Sequence, residues 1–137
     1  MVELTDEPKR YRYWANLAAA LARSGDYERA ARELRALVEQ AGSQPEPLWC
    51  AASAYSLISA IAAADSKLSA GERSGRREAA AAAAVALLEK RRVAGGFADP
   101  EHIKGLETST DLDPLRSRAD FQRVLDKVEA HSHAPSP

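Results

Sequence analysis

At 137 residues, with a formal net charge of −1 at pH 7 and a single cysteine, the chain has room for one hydrophobic core and no internal disulfide. Its 19 Lys+Arg nearly balance 20 Asp+Glu, so no global field points to nucleic acid or to an anionic membrane as a partner. Rich in Ala and Arg and poor in β-branched residues, the composition favours helix almost throughout.

Residues 1–5 read as frayed. Thr5 or Asp6 is a candidate N-cap for a first helix over 7–23, where Pro8 in the first turn costs no intrahelical donor. Trp14, Leu17, Ala18 and Leu21 fall at i, i+3, i+4 and i+7 and predict its buried face. Gly25 suits a left-handed helix end, and Asp26 caps a second helix over 26–41, apolar at Ala30, Leu34, Leu37, Val38 and Ala41. Ser43-Gln44-Pro45-Glu46 has the form of a capping box and opens a third helix over 45–64. Advancing 34 residues from Trp14, Leu17, Ala18 and Leu21 gives Leu48, Ala51, Ala52 and Tyr55, again apolar or small.

After a polar break at Asp65-Ser66-Lys67, a second capping box, Ser69-Ala70-Gly71-Glu72, begins a fourth helix over 70–93. Gly75 inside it costs about 1 kcal/mol relative to Ala, which the Ala79–Ala84 run offsets, and Gly95-Gly96 ends it. Asp99-Pro100 reads as cap and first position of a short helix over 99–106. Asp113-Pro114 predicts a single turn at Leu115-Arg116. A last helix over 118–130 sets Phe121, Val124, Leu125 and Val128 on one face, with Arg123, Asp126, Lys127 and Glu129 outward. Residues 131–137 are expected to be a disordered tail beyond a single domain over 1–130. The N-terminal MVELTDEPKR lacks an apolar signal core, and the run Ala51–Ala64 is shorter than the about 20 residues that span a bilayer. The expectation is a soluble, cytoplasmic protein.

The helix pair from Trp14 to Gln40, its 34-residue echo with Tyr55 at an aromatic position, and Pro45 at the junction resemble the tetratricopeptide repeat. A second resemblance lies in Gly96-Phe97, Asp99-Pro100, Asp111-x-Asp113-Pro114-Leu115-Arg116 and Asp120-Phe121, together with the AASAYSL context of Tyr55. These are similar to the ends of tetratricopeptide arrays attached to bacterial serine/threonine protein kinases, over roughly residues 45–128. The resemblance implies an all-α antiparallel helix-pair solenoid of about two repeats with a short C-terminal capping pair. It implies non-catalytic protein–protein interaction through the concave face. The alternative is a regulatory or dimerising tail of a larger kinase-like protein. A Gly-rich phosphate loop, a His-Arg-Asp catalytic loop and an Asp-Phe-Gly motif are all missing from the sequence.

The same resemblance assigns groove positions. They are Arg12, Ala15, Asn16, Ala19 and Arg23 in the first unit, and Glu46, Trp49, Cys50, Ser53 and Ser56 in the second. Trp49 falls just off the core register and is either an anchor for a partner side chain or, with the helix slightly rotated, part of the core. The Lys and Asn clamp with which some family members hold peptide carboxylates is replaced by Ala15, Ala19 and Cys50, which argues against chaperone-tail binding. Arg73, Arg76 and Arg77, and Lys90, Arg91 and Arg92, form two basic clusters that either meet phosphate or an acidic partner or, as such charges more often do, form a solvated face, the later cluster also suiting a helix C-terminus. His102, His131 and His133 lack a second ligand pair for zinc, and Cys50 reads as an inert buried thiol. No catalytic constellation, metal or cofactor is implied. The expected partner is another protein or peptide segment, and self-association fits the same reading.

Overall fold

The computed structural model describes residues 7–132, all helical apart from short connections. The elements are α1 (Glu7–Arg23), α2 (Tyr27–Ala41), α3 (Pro45–Ala64), α4 (Ala70–Val93), α5 (Pro100–Thr108), a 3-10 helix (Thr110–Leu115) and α6 (Ala119–Ser132). The expectations about residues 1–5, the cap at Thr5 or Asp6, and the tail from His133 onward lie outside the described residues.

Local chemistry sets most of these boundaries. Gly25 turns the chain at a φ of 93°, where a side chain would be strained, and the Asp26 carboxylate then accepts from the Arg29 amide at 3.2 Å. The capping box at α4 forms in both directions, Glu72 N–H donating to Ser69 Oγ at 3.2 Å and Ser69 N–H to Glu72 Oε1 at 3.0 Å. The expected box at α3 does not form. Its N-cap is Gln44, without a side-chain bond, and Pro45 and Pro47 remove two of the donors that a cap would satisfy. The expected turn at Leu115-Arg116 lies earlier, as the 3-10 helix containing Pro114, and α5 runs two residues further, to Thr108. His131, expected in the tail, belongs to the last turn of α6.

The helices pack as two antiparallel pairs with a closing segment. Trp14 Nε1 donates to Glu33 at 3.2 Å and Arg10 to Gln40 at 2.9 Å, which fixes α1 against α2. The central helix is α3: it meets α1, α2, α4 and the 3-10 helix, and packs most extensively on α4. Small residues, Ala80, Ala81 and Ala84 of α4 with Ala52, Ser59 and Ala62 of α3, are buried along that pair and let two long helices approach closely. By length and apolarity (mean hydropathy 1.4), α3 also reaches the range of a membrane-crossing segment. With 56% of that window buried by its neighbours, the central position accounts for the composition.

The face predicted for α1 is only half covered. Ala18 is fully buried and Trp14 and Leu21 partly so, but Leu17 remains 38% exposed. The buried stripe is instead Tyr11, Ala15, Ala18 and Ala22. The 34-residue counterpart of Leu17, Ala51, is fully buried because α1 and α2 lie against it, whereas no described helix precedes α1.

The closing segment covers the far side. Phe121, Val124 and Val128 are buried as α6 packs on α4 and α5, and Arg123, Asp126 and Lys127 face outward as the pattern requires. Arg118 ties α6 to α4 through Glu78 at 2.7 Å while also holding Asp120 at 2.9 Å. Its hydrogen bonds draw the Asp120 and Glu78 carboxyls below their usual range. Arg116 donates to the carbonyls of Leu106 at 3.2 Å and Ser109 at 2.7 Å, so the Leu115-Arg116 pair joins α5 to the 3-10 helix.

Candidate functional site

The groove positions named from the sequence converge only in part. α1 and α3 run side by side in the same sense, and between them lies a cavity of about 100 Å³. Arg12, Ala15 and Asn16 line it from α1; Trp49, Cys50, Ser53, Ala54 and Leu57 line it from α3; Asp111 of the 3-10 helix closes one end. Arg12 and Asn16 are exposed, and Trp49 and Ser53 are half-buried. Arg23 is exposed beyond the cavity, and Glu46 sits half-buried at the start of α3, also outside the lining.

Two other positions are corrected by burial. Ala19 is 2% exposed and belongs to the core. Ser56 is fully buried, its hydroxyl donating to the Asp111 carbonyl at 2.7 Å, so it anchors the 3-10 helix instead of facing a ligand. Asp111 itself was not foreseeable from the repeat register, because it reaches the groove from a segment outside that register.

Trp49 is divided between two environments. One part of the indole lines the cavity, and the remainder packs on Phe97, edge to face with centroids 6.4 Å apart, and beside Gly105 of α5. Behind the ring lies Arg91, 2% exposed, its guanidinium carbon 5.1 Å from the Trp49 centroid and 4.7 Å from that of Phe97. Arg91 Nε donates to the Gly96 carbonyl at 3.1 Å. Burial draws its pKa down, and the Glu46 carboxylate is the main charge opposing that.

The basic clusters are therefore not simply a solvated face. Arg91 is in the core, Arg73 donates to the Leu68 carbonyl at 2.6 Å, and Arg76 lies 4.8 Å over the Tyr27 ring. Arg77 and Lys90 are exposed, and Arg92 pairs with Glu89.

Chemically the groove offers hydrogen bonding and one apolar wall, and its thiol is held protonated. Burial, followed by the nearby Glu46 carboxylate, pushes the Cys50 pKa up to about 11. Ser53 lines the cavity, but its Oγ is itself buried and has no hydrogen-bond partner. No group of three or more His, Cys, Asp or Glu is placed to hold a metal among the described residues. A second cavity, about 290 Å³ and more apolar, opens on the other side of α3 between Tyr27, Arg35, Tyr55, Ile58, Arg76 and alanines of α4. No family model, curated protein or solved structure matches this chain.

Proposed function

We propose that this chain is a non-catalytic interaction module that binds a peptide segment of a partner protein along the α1–α3 groove. The observation that carries the reading is the cavity between α1 and α3, whose lining is shared by Arg12, Asn16, Trp49 and Ser53. At about 100 Å³ the cavity falls below the about 300–1,000 Å³ usual for small-molecule sites and suits one anchoring side chain of a longer ligand. The two antiparallel pairs with α1 beside α3 support a tetratricopeptide-like solenoid as the underlying design.

Panning a displayed library of short peptides on the wild-type protein tests this. The expected result is a consensus sequence whose binding is lost in Asn16→Ala and in Ser53→Leu, the latter filling the cavity. Recovery of the same peptides on both variants, or no consensus, refutes it. A second reading, a regulatory or dimerising tail of a larger kinase-like polypeptide, rests on the sequence resemblance of the closing segment from Gly96 to Phe121. An immunoblot of native cells separates the two: a band near the 14.8 kDa composition mass supports a stand-alone module, and a much heavier one the tail.

A further inference from the structure

Among the described residues, the side of α1 turned away from α3 carries an unpartnered apolar stripe. Tyr13 is 74% exposed and Leu17 38% exposed, with Ala20 exposed one turn on. Their counterparts 34 residues later are Pro47, Ala51 and Ala54, buried to 2% exposure or less where α3 lies against the first helix pair. Trp14 and Leu21, half-buried at the edge of the stripe, correspond to Leu48 and Tyr55 in the same packed face. The protein thus uses this helix face once, on α3, to bury another helix, and leaves the equivalent face of α1 open.

The charge around the stripe identifies what covers it. From Glu7 to Arg23, α1 carries four cations, Lys9, Arg10, Arg12 and Arg23, against one acid, Glu7, which precedes the stripe. Lys9 and Arg10 precede Tyr13 and Trp14 by one turn, so cations flank the stripe at its start, and Arg23 follows Ala20 at its end. Arg10 bonds the neutral Gln40 amide and stacks 5.7 Å over Trp14, keeping its charge uncompensated. Of the three acids of α2, Glu28, Glu33 and Glu39, Glu33 is engaged by the Trp14 indole.

We propose that the Tyr13–Leu17–Ala20 face of α1 docks an acidic amphipathic helix of a partner protein. The partner lays apolar residues at i, i+3, i+4 and i+7 on Tyr13, Leu17 and Ala20, and its flanking carboxylates meet Lys9, Arg10 and Arg23. This surface is separate from the α1–α3 groove and does not depend on ligand binding there.

The test uses the full chain and two synthetic helical peptides of about 18 residues, long enough to hold helical structure. Both carry leucine on one face; one has glutamate on the other face, its counterpart lysine. In calorimetric titration the glutamate peptide is expected to bind at least about tenfold more tightly than the lysine peptide, and to weaken as salt rises through about 0.3 M. Tyr13→Glu, at a position too exposed to disturb the core, is expected to abolish that binding with helicity unchanged, and Leu17→Glu to do the same. Ser53→Ala is expected to leave it intact. Equal binding of the two peptides, no binding, or binding that survives Tyr13→Glu overturns the proposal. Loss in Ser53→Ala overturns it as well, placing the peptide in the groove. A wild-type dimer that Tyr13→Glu converts to monomer overturns it too, because a second copy of the chain then occupies the face.

Discussion

Replacing Arg91 with Ala should be the most damaging single change among the charged residues of this protein. The side chain is 2% exposed and joins three parts of the chain: α4, which carries it, Trp49 of α3, and Phe97 in the segment leading to α5. Truncation removes a charged donor to the Gly96 carbonyl, about 1.5–3 kcal/mol for such a bond. It also removes two cation–π contacts of about 0.5–2 kcal/mol each and leaves a void beneath the indole. Against this stands the relief of burying a guanidinium without an ion-pair partner, which depresses its pKa. The net expectation is a loss of about 3–4 kcal/mol, or about 10–15 °C in melting temperature for a chain of this size. Urea unfolding followed by circular dichroism reads it directly. Arg91→Lys, keeping the charge but losing the planar stack, should cost about 1–2 kcal/mol. Arg91→Met, keeping the stem without a buried charge, should cost less than Ala. A loss below about 1 kcal/mol in Arg91→Ala would refute the reasoning, since no well-packed joint of this kind gives way so cheaply.

Four further outcomes follow from the same geometry. Gly96→Ala should cost about 1–3 kcal/mol, because its Cβ would press on Arg91 Cγ and fall within 2.9 Å of Arg91 Nε; in an Arg91→Ala background, which removes both atoms, the penalty should shrink, and a double-mutant cycle measures the coupling. Ser56→Ala leaves the Asp111 carbonyl without its donor and should cost about 1–2 kcal/mol, with amide exchange rising across 110–115. Trp49→Ala should lower stability by about 2–4 kcal/mol as well as weaken peptide binding, so binding alone is better read from Asn16→Ala; unchanged stability would remove Trp49 from the Arg91–Phe97 joint. Cys50 should resist alkylation at pH 8, its thiol holding its proton up to about 11. Between the unfolded value of 9.0 and that figure the folded state binds the extra proton, so stability falls as pH rises. The slope should be shallower in Cys50→Ala.

The helices were legible because their signals are local. Asp26, Ser69 with Glu72, and Asp99 with Pro100 each cap a helix through residues within one turn, and the apolar spacing of α2 names its buried face without reference to anything else. Burial on α1 was not legible in the same way. Leu17 has the spacing of a core residue, and only the lack of a described helix before α1 leaves it exposed. Arg91 illustrates the opposite failure. It lies in a run of cations at a helix end, where charge is normally solvated, and its burial depends on two aromatic residues, 42 positions before it and six after, that no local rule connects. At the groove, Arg12, Asn16, Trp49 and Ser53 follow from the helical register. Leu57, Ala54 and Asp111 do not, since the last arrives only when the 3-10 helix folds back onto α3.

That fold-back has a kinetic consequence. Within each helix pair the partners are joined by short turns, so their closure requires little loop ordering and should come early. The closing segment depends on bonds across far longer stretches: 55 residues separate Ser56 from Asp111, and 40 separate Glu78 from Arg118. The order of assembly then places both pairs before the segment that supplies Asp111 to the groove. In the folded protein the reverse order is expected for local opening, with the 3-10 helix and α6 exchanging their amides ahead of α3 and α4 in a hydrogen-exchange measurement. The Asp111 contribution to the groove is therefore expected to be the last to form and the first to loosen.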